Sequence, residues 1–142
     1  MPKAHETEIT VRLSETDEFG VVWHGNYVLY FEVARTELAR AFQLTSKDLK
    51  AAGLFPPVVD LAFQCKLPAK NDDRLVVACT VDPLTSASIT IRYRITRKAT
   101  GELIATGHSR QALVNEKGFL LYQVPPAIEP RLKALAEAYP SA

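Results

Sequence analysis

The fold is decided by residues 14–35, SETDEFGVVWHGNYVLYFEVAR, where an acidic turn leads into a long helix-period pattern. The turn carries Asp17 and ends at Gly20, and a short apolar run then leads to a polar cluster over residues 24–27. A helix start offers free backbone N–H groups and the positive end of the helix dipole. A carboxylate beside such groups suits a reaction that polarises a carbonyl and supplies a base or nucleophile next to it. We therefore expect this stretch to carry the chemistry of the protein.

The composition is typical of one globular domain, which we expect to span residues 1–142. Hydrophobic residues make up 47% of the chain and charged residues 23%, which argues against a disordered segment. The net charge of +1 gives no strong field toward nucleic acid or an anionic membrane. No apolar run resembles a signal core or a transmembrane segment, so we expect a cytoplasmic protein with no nucleic-acid partner and no membrane span.

The cysteines and histidines indicate no metal centre. Cys65 and Cys79 lie in strand-like runs and form no close-spaced pair, so we interpret both as buried free thiols. The three histidines show no metal-ligand spacing, and we expect neither a metal nor a cofactor. The chemistry is therefore expected from ordinary side chains and backbone groups.

One apolar stripe predicts a helix over residues 26–44. Neither Pro nor Gly interrupts this range, and apolar side chains recur at spacings of three and four, at Tyr27, Phe31, Ala34, Leu38 and Phe42. Residues 45–48 have the pattern of a capping box, which predicts a second, short helix that ends near Gly53. A last helix is predicted over residues 128–139.

Alternating apolar and polar residues predict five strands and a weaker sixth. The strands cover residues 8–13, 58–67, 75–81, 89–95 and 103–114, with 119–124 as the weaker one. Because the later strands follow one another without intervening helices, we expect an antiparallel α+β fold in which they form a meander. One long helix covers only one face of such a sheet, so we expect a homo-oligomer to cover the other.

Three sets of residues, taken with this order of elements, carry a resemblance to a known family. They are Thr16-Asp17, Gly20-Val21-Val22, His24, Asn26-Tyr27, Glu32 and Ala34-Arg35-Thr36-Glu37; Pro68-Ala69-Lys70 with Asp72-Asp73-Arg74-Leu75; and Gly101 with Ala105. The chain resembles the hotdog-fold acyl-CoA thioesterases. Within them it is most similar to the hydroxybenzoyl-CoA thioesterase-like group, and particularly to its YbgC-type branch. The resemblance covers nearly the whole chain.

This resemblance implies a hotdog fold, in which a five- to six-stranded antiparallel sheet wraps a long central helix. It implies that two subunits pair their sheets edge to edge, in a homodimer or homotetramer, with active sites at the dimer interface. It also implies an acyl-CoA substrate, or a thioester of acyl carrier protein. The aspartate matching Asp17 is the family's catalytic carboxylate, and the histidine matching His24 is a catalytic-site residue of the branch. The resemblance also implies that the backbone N–H at the helix start binds the thioester carbonyl.

The residues by themselves leave the role of each group open. Asp17 could attack the carbonyl or deprotonate a water. An aspartate before a helix is also well explained as a capping or turn residue, and His24 as a capping or packing side chain. Asn26 is expected to cap the helix or to hold the loop that carries Asp17. The three residues together, at the family spacing, favour catalysis.

The expected substrate contacts surround this helix start and extend to a second subunit. The candidates for binding the substrate are Trp23, Gly25, Asn26, Val59, Asp60, Lys70 and Arg74. Trp23 stands where the branch usually has tyrosine, and Gly25 would let the backbone approach the substrate closely. CoA phosphates require cations, for which the candidates are Lys66, Lys70, Arg74, Arg92, Arg97, Lys98 and Arg110.

The leading hypothesis is hydrolysis of an acyl-CoA to a free carboxylic acid and CoA. One alternative is a hotdog dehydratase or hydratase, which also pairs an acidic residue with a histidine. Another is a non-catalytic acyl-CoA-binding module. The spacing from Asp17 to Asn26-Tyr27 favours the thioesterase over the hydratase, and the presence of both Asp17 and His24 argues against a module without catalysis.

Overall fold

The computed structural model describes residues 3–141, which contain three α-helices and seven strands. The helices are α1 (Gly25–Ala41), α2 (Ser46–Ala51) and α3 (Glu129–Ala138). The strands are β1 (His5–Thr10), β2 (Leu54–Phe55), β3 (Val58–Cys65), β4 (Arg74–Val81), β5 (Ser88–Arg97), β6 (Leu103–Ala112) and β7 (Val114–Asn115). Across the described part of the chain, no helix combines the length and the apolar character that crossing a membrane requires.

Five strands form one antiparallel sheet in the order β1-β4-β5-β6-β3. The expected meander holds for β4, β5 and β6, whereas β3 lies at the far edge beside β6 and not beside β4. The loop between β3 and β4 is tied to the β1 side of the sheet, which separates the two strands. Asp72 N–H donates to Val11 O at 2.9 Å, and Val11 N–H donates to Asp73 O at 2.9 Å.

Helix α1 packs one buried stripe against one face of this sheet. The side chains that it buries are Tyr27, Tyr30, Phe31, Ala34 and Leu38. Phe31 stacks on Tyr93 of β5, with ring centroids 4.4 Å apart and planes inclined by 15°. Gly107 of β6 makes room for this stack, because a Cβ there would lie 2.7 Å from the Phe31 ring. A long helix wrapped by an antiparallel sheet is the α+β architecture predicted from the sequence.

The face of the sheet opposite α1 is polar. Residues on this face include Glu6, Arg92, Arg94, Thr106 and His108. Exposed apolar side chains lie instead on the edge strand β3, where Val58 is 43%, Val59 50% and Leu61 41% exposed. The large exposed apolar side chains of the sheet are therefore on the β3 edge and not on the face opposite α1. That a second copy covers part of the sheet stays a prediction.

The ends of two predicted elements are corrected by the backbone. β1 ends at Thr10 and not at residue 13, because a short 3₁₀ turn over Leu13–Glu15 follows it and leaves Leu13 70% exposed. α1 ends at Ala41 and not at residue 44, because Gln43 has a positive φ of 57°. α2 ends close to Gly53, as predicted.

Two expectations on strands are also corrected. Residues 119–124 form no strand: an isolated bridge joins Leu120 to Val114, after the chain turns at Gly118 with a φ of 82°. Cys65 is exposed, since it lies on the edge strand, while Cys79 on a central strand is buried as expected.

Candidate active site

Residues 15–23, here named the Asp17 loop, fold back on themselves before α1 begins. Asp17 N–H donates to Val21 O at 2.8 Å, and Gly20 N–H donates to Asp17 O at 3.0 Å. Gly20 has a φ of 79°, a conformation that glycine adopts without strain. The Asp17 carboxylate accepts a hydrogen bond from Phe19 N–H at 2.8 Å through one oxygen, Oδ1. The loop thus fixes the position of the carboxylate through short-range backbone contacts.

The start of α1 leaves two adjacent backbone donors free. Asn26 N–H donates to Trp23 O at 2.9 Å and Tyr27 N–H donates to His24 O at 3.2 Å. The N–H groups of His24 and Gly25 donate to no acceptor in the described residues. These two groups, with the positive end of the helix dipole behind them, can polarise a carbonyl oxygen.

Trp23 lies across this helix start. A Cβ on Gly25 would lie 2.2 Å from the Trp23 ring, so only glycine lets the indole pack against the first turn. The Trp23 and His24 rings are tilted by 46°, with their centroids 5.0 Å apart. Trp23 is 50% exposed and His24 is also exposed, so both rings are accessible to a ligand. The close approach expected at Gly25 is thus made by the chain's own tryptophan.

Glu15 joins the Asp17 loop to α1 and was missed by the sequence reasoning. Its carbonyl oxygen accepts from Trp23 N–H at 2.9 Å and from the Asn26 side-chain amide at 2.7 Å. Its carboxylate, only 12% exposed, accepts from the Tyr30 hydroxyl at 3.1 Å and from Arg12 N–H at 2.8 Å. Burial raises the pKa of Tyr30, and the charge of Glu15 adds to this rise. The amide of Asn26 therefore holds the loop, one of the two structural roles expected for it.

Lys70 lies directly beside the Asp17 loop. Val22 N–H donates to Ala69 O at 2.8 Å, and Val21 forms an isolated antiparallel bridge with Lys70. The backbone N–H of Lys70 donates to the Asp73 carboxylate at 2.9 Å, and Lys70 itself is exposed. The structure thus brings Lys70 to the same end of the molecule as Asp17.

Several of the other cation candidates are engaged elsewhere. Arg97 braces the loop between β3 and β4, because it donates to the Asp73 carboxylate at 3.2 Å and to Pro68 O at 2.7 Å. Ion pairs also join Lys98 to Glu8 and Arg92 to Asp82, and Lys66 donates to the Gln64 side chain. Arg74 and Arg110 are exposed on the polar face of the sheet.

Val59 and Asp60 lie away from the Asp17 loop within one chain. They are at the start of β3, whereas the loop packs near the segment that follows the other end of that strand. Asp60 is on the polar face of the sheet, where its carboxylate lies 3.3 Å from His108 Nε2. The candidate residues that the structure brings together are therefore Asp17, Trp23, His24, Gly25, Asn26 and Lys70.

No group of three or more His, Cys, Asp and Glu side chains in residues 3–141 is arranged to hold a metal ion. The site consists of one carboxylate, one imidazole, an indole and two free backbone donors. Such a set can bind a carbonyl group and can supply a nucleophile or a base to it.

A central helix wrapped by an antiparallel sheet, with a carboxylate loop at the helix start, defines a hotdog-fold protein. The chain belongs to the thioesterase-like superfamily, whose sequence model matches residues 11–134. This confirms the family predicted from the sequence.

Known relatives are similar over most of the chain. YneP of Bacillus subtilis (strain 168), provisionally named an acyl-CoA thioesterase, is 32% identical over 112 residues, which are 79% of this chain and 80% of that protein. The acyl-CoA thioesterase YbgC of Haemophilus influenzae is 36% identical over 90 residues, 63% of this chain and 66% of that protein. Among solved structures, the DHNA-CoA thioesterase from Staphylococcus aureus is 27% identical with a TM-score of 0.79, and the match covers 95% of this chain and 87% of that chain.

Proposed function

We propose that the protein is an acyl-CoA thioesterase, which hydrolyses its substrate to a free carboxylic acid and CoA. The observation that carries this proposal is the Asp17 loop. It holds the Asp17 carboxylate, and the free N–H groups of His24 and Gly25 follow it directly at the start of α1. Membership of the thioesterase-like superfamily and the names of the relatives support it. We place the reaction in the cytoplasm.

The backbone donors act on the thioester carbonyl. Its oxygen accepts hydrogen bonds from the N–H groups of His24 and Gly25, which stabilise the negative charge that develops there. In one route Asp17 attacks the carbonyl carbon, the C–S bond breaks, CoA leaves as a thiolate, and water hydrolyses the mixed anhydride. In the other route Asp17 accepts a proton from a water that attacks the carbon directly, and the C–S bond then breaks with CoA leaving as a thiolate. In both routes His24 orients the attacking group or contacts the leaving thiolate.

The substrate extends from this centre in two directions. Trp23 and Gly25 form one wall at the acyl carbonyl. Lys70, whose backbone lies beside Val21 of the Asp17 loop, binds a phosphate of CoA through its ammonium. Arg74, on the polar face of the sheet at the start of β4, is a second, more distant cation for the same phosphates. Asn26 acts indirectly, because its amide holds the Asp17 loop against α1.

Two copies complete the site. Within the described residues β3 pairs with β6 alone, so its other edge has free backbone groups beside exposed Val59 and Leu61. Val59 and Cys65 are about 20 Å apart along the strand. Antiparallel pairing of two β3 edges about their middle brings Val59 and Asp60 of the partner subunit toward the Asp17 loop. The proposed unit is therefore a homodimer, alone or within a tetramer.

The proposal is tested with a panel of short, medium, long and aromatic acyl-CoAs, by following the release of free thiol. Asp17→Asn is expected to lower kcat/KM by about 10²–10⁴-fold, the usual contribution of a positioned base. Glu18→Gln, which removes the neighbouring exposed carboxylate, is the matched control and should retain full activity.

Further measurements check the variant and separate the thioesterase from the hydratase. Gel filtration and circular dichroism check that Asp17→Asn keeps the fold and assembly. Carrier-protein thioesters and enoyl-CoA hydration are assayed in parallel. No thiol release from any thioester would overturn the proposal, turnover of an enoyl-CoA alone would favour the hydratase, and an unimpaired Asp17→Asn would move the chemistry to other residues.

A further inference from the structure

A separate cavity lies at the opposite end of α1 from the Asp17 loop. It has a volume of about 360 Å³, is open to solvent on one side, and is lined by residues of the second half of α1, α2, α3 and β5. Its apolar wall includes Leu38, Leu49, Ile89, Leu132 and Leu135. This volume holds about a dozen water-sized groups, which is the size of a small aromatic or short aliphatic molecule.

The cavity is distinct from the candidate active site. The positions of α1 that line it begin at Glu32, and Arg35 is ten residues beyond Gly25. With a rise of 1.5 Å per residue, Arg35 is about 15 Å along the helix from the free donors at its start. No residue of the Asp17 loop lines the cavity.

Among the charged residues that line this cavity, Arg35 is the half-buried cation without an ion pair within residues 3–141. This holds although Glu32 also lines the cavity one helical turn away. The positive charge of Arg35 also acts on two buried groups of the sheet, Cys79 and Tyr93. Burial raises the pKa of Cys79 to about 12 and also raises the pKa of Tyr93, and the positive charge of Arg35 opposes both rises.

A half-buried cation without a counter-ion is costly, and an anion that enters the cavity relieves that cost. The guanidinium presents a planar fork of donors that matches a carboxylate with two parallel hydrogen bonds. The apolar side chains that line the cavity favour a hydrocarbon body over a fully hydrated inorganic anion.

We propose that this cavity is a binding site for a small organic carboxylate, whose carboxylate pairs with Arg35 and whose apolar body packs against the leucine and isoleucine wall. The site does not depend on the proposed hydrolysis. Where that hydrolysis occurs, the acids that it releases belong to the same chemical class.

The test is calorimetric titration of the full chain with benzoate, octanoate, their neutral amides and inorganic phosphate. It uses the Asp17→Asn variant as the parent, so that turnover plays no part and failure of the proposed hydrolysis is measured separately. Both carboxylates are expected to bind. The amides and phosphate should bind at least about tenfold more weakly, as loss of one charge-assisted hydrogen bond predicts.

Variants of the cavity complete the test. Arg35→Gln should weaken carboxylate binding at least about tenfold, and Arg35→Lys should restore part of it. Lys47→Gln removes another cation that lines the same cavity and should leave binding unchanged. If Arg35→Gln fails to fold, the parent protein still tests the proposal, because the proposal requires it to bind the two carboxylates more tightly than their neutral amides. Absence of carboxylate binding, equal binding of phosphate, or unchanged binding by Arg35→Gln would overturn the proposal.

Discussion

At the scale of single residues, Glu15 shows how the site is held in place. Its carbonyl binds Trp23 and Asn26, while its carboxylate binds the buried Tyr30 hydroxyl. One residue therefore fixes both the start of α1 and the loop that carries Asp17. None of these three contacts brings Glu15 to the proposed reacting carbon, so Glu15 acts on activity by positioning the loop and the helix.

Glu15→Ala is expected to lower the free energy of unfolding by about 1–3 kcal/mol, because the buried Tyr30 hydroxyl loses its acceptor. It should also lower kcat/KM as the loop loosens, while Glu15→Gln, which keeps an acceptor oxygen, should restore most of both. Urea unfolding and thiol release measure the two effects. Glu18→Ala is the control, and equal stability of Glu15→Ala and Glu18→Ala would contradict the role given to Glu15.

At the scale of elements, the start of α2 is fixed by hydrogen bonds in its first turn. Thr45 Oγ1 accepts from Asp48 N–H at 3.3 Å, and the Asp48 carboxylate accepts from Thr45 N–H at 3.1 Å and from Thr45 Oγ1 at 2.8 Å. This is the capping box that the sequence predicts. α2 also forms one wall of the Arg35 cavity, so its cap helps to keep that cavity in shape.

Thr45→Ala is expected to cost about 0.5–2 kcal/mol of stability near neutral pH. The hydrogen bonds from Thr45 lower the pKa of Asp48 below its ordinary value of 3.8. A carboxyl with a lowered folded-state pKa stabilises the fold fully above the unfolded value, and this stabilisation is lost as the pH falls through the folded value. The cost of Thr45→Ala, measured by urea unfolding, should therefore shrink below about pH 4. Ser46→Ala, one residue inside the helix, should cost little, and a pH-independent difference would contradict the capping account.

At the scale of the whole molecule, the apolar surface of β3 stands at an open edge of the sheet. Natural edge strands are usually protected by charge or by a short length. β3 is eight residues long and has one charged residue, Asp60, beside exposed Val58, Val59 and Leu61. Such a surface is stable in water when a second copy covers it. The proposed site needs that second copy.

Leu61→Lys is expected to convert the proposed homodimer into a monomer, because a charge on an edge strand opposes edge-to-edge pairing. Light scattering after gel filtration measures the assembly. Thiol release should fall by about 10²-fold, since the partner's wall of the acyl pocket is lost. Leu67→Lys is the control, because Leu67 is also 41% exposed but follows the end of β3. A Leu61→Lys protein that remains a dimer would contradict pairing through this edge.

Local sequence patterns predicted much of the secondary structure. The stripe of α1, the capping box of α2 and the alternation within β4 and β5 are set by near neighbours in sequence, and each was found where it was expected. The position of β3 at the edge was not predicted, because it depends on the pairing of Phe63 with Gly107 and on the ties of the following loop to Val11. Such long-range contacts leave no periodic signal in the sequence.

The residues of the candidate site also divide into those that local sequence predicts and those that depend on long-range contacts. Asp17, His24 and Asn26 could be selected because they lie within one motif before a helix. Glu15 could not, since its partners Tyr30 and Asn26 become neighbours only after the loop folds back. Within one chain Asp60 lies on the polar face beside His108. Its expected place at an acyl pocket shared with a second subunit stays a prediction.

The packing of Trp23 against Gly25 has a practical consequence for measurement. Trp23 is the only tryptophan of the chain, beside five tyrosines, and its indole covers the start of α1. The intrinsic fluorescence of the unlabelled protein, excited where tyrosine absorbs little, therefore originates from this one ring. A ligand that displaces or covers the indole changes its emission, so the native chain is its own optical reporter for occupancy of the helix start.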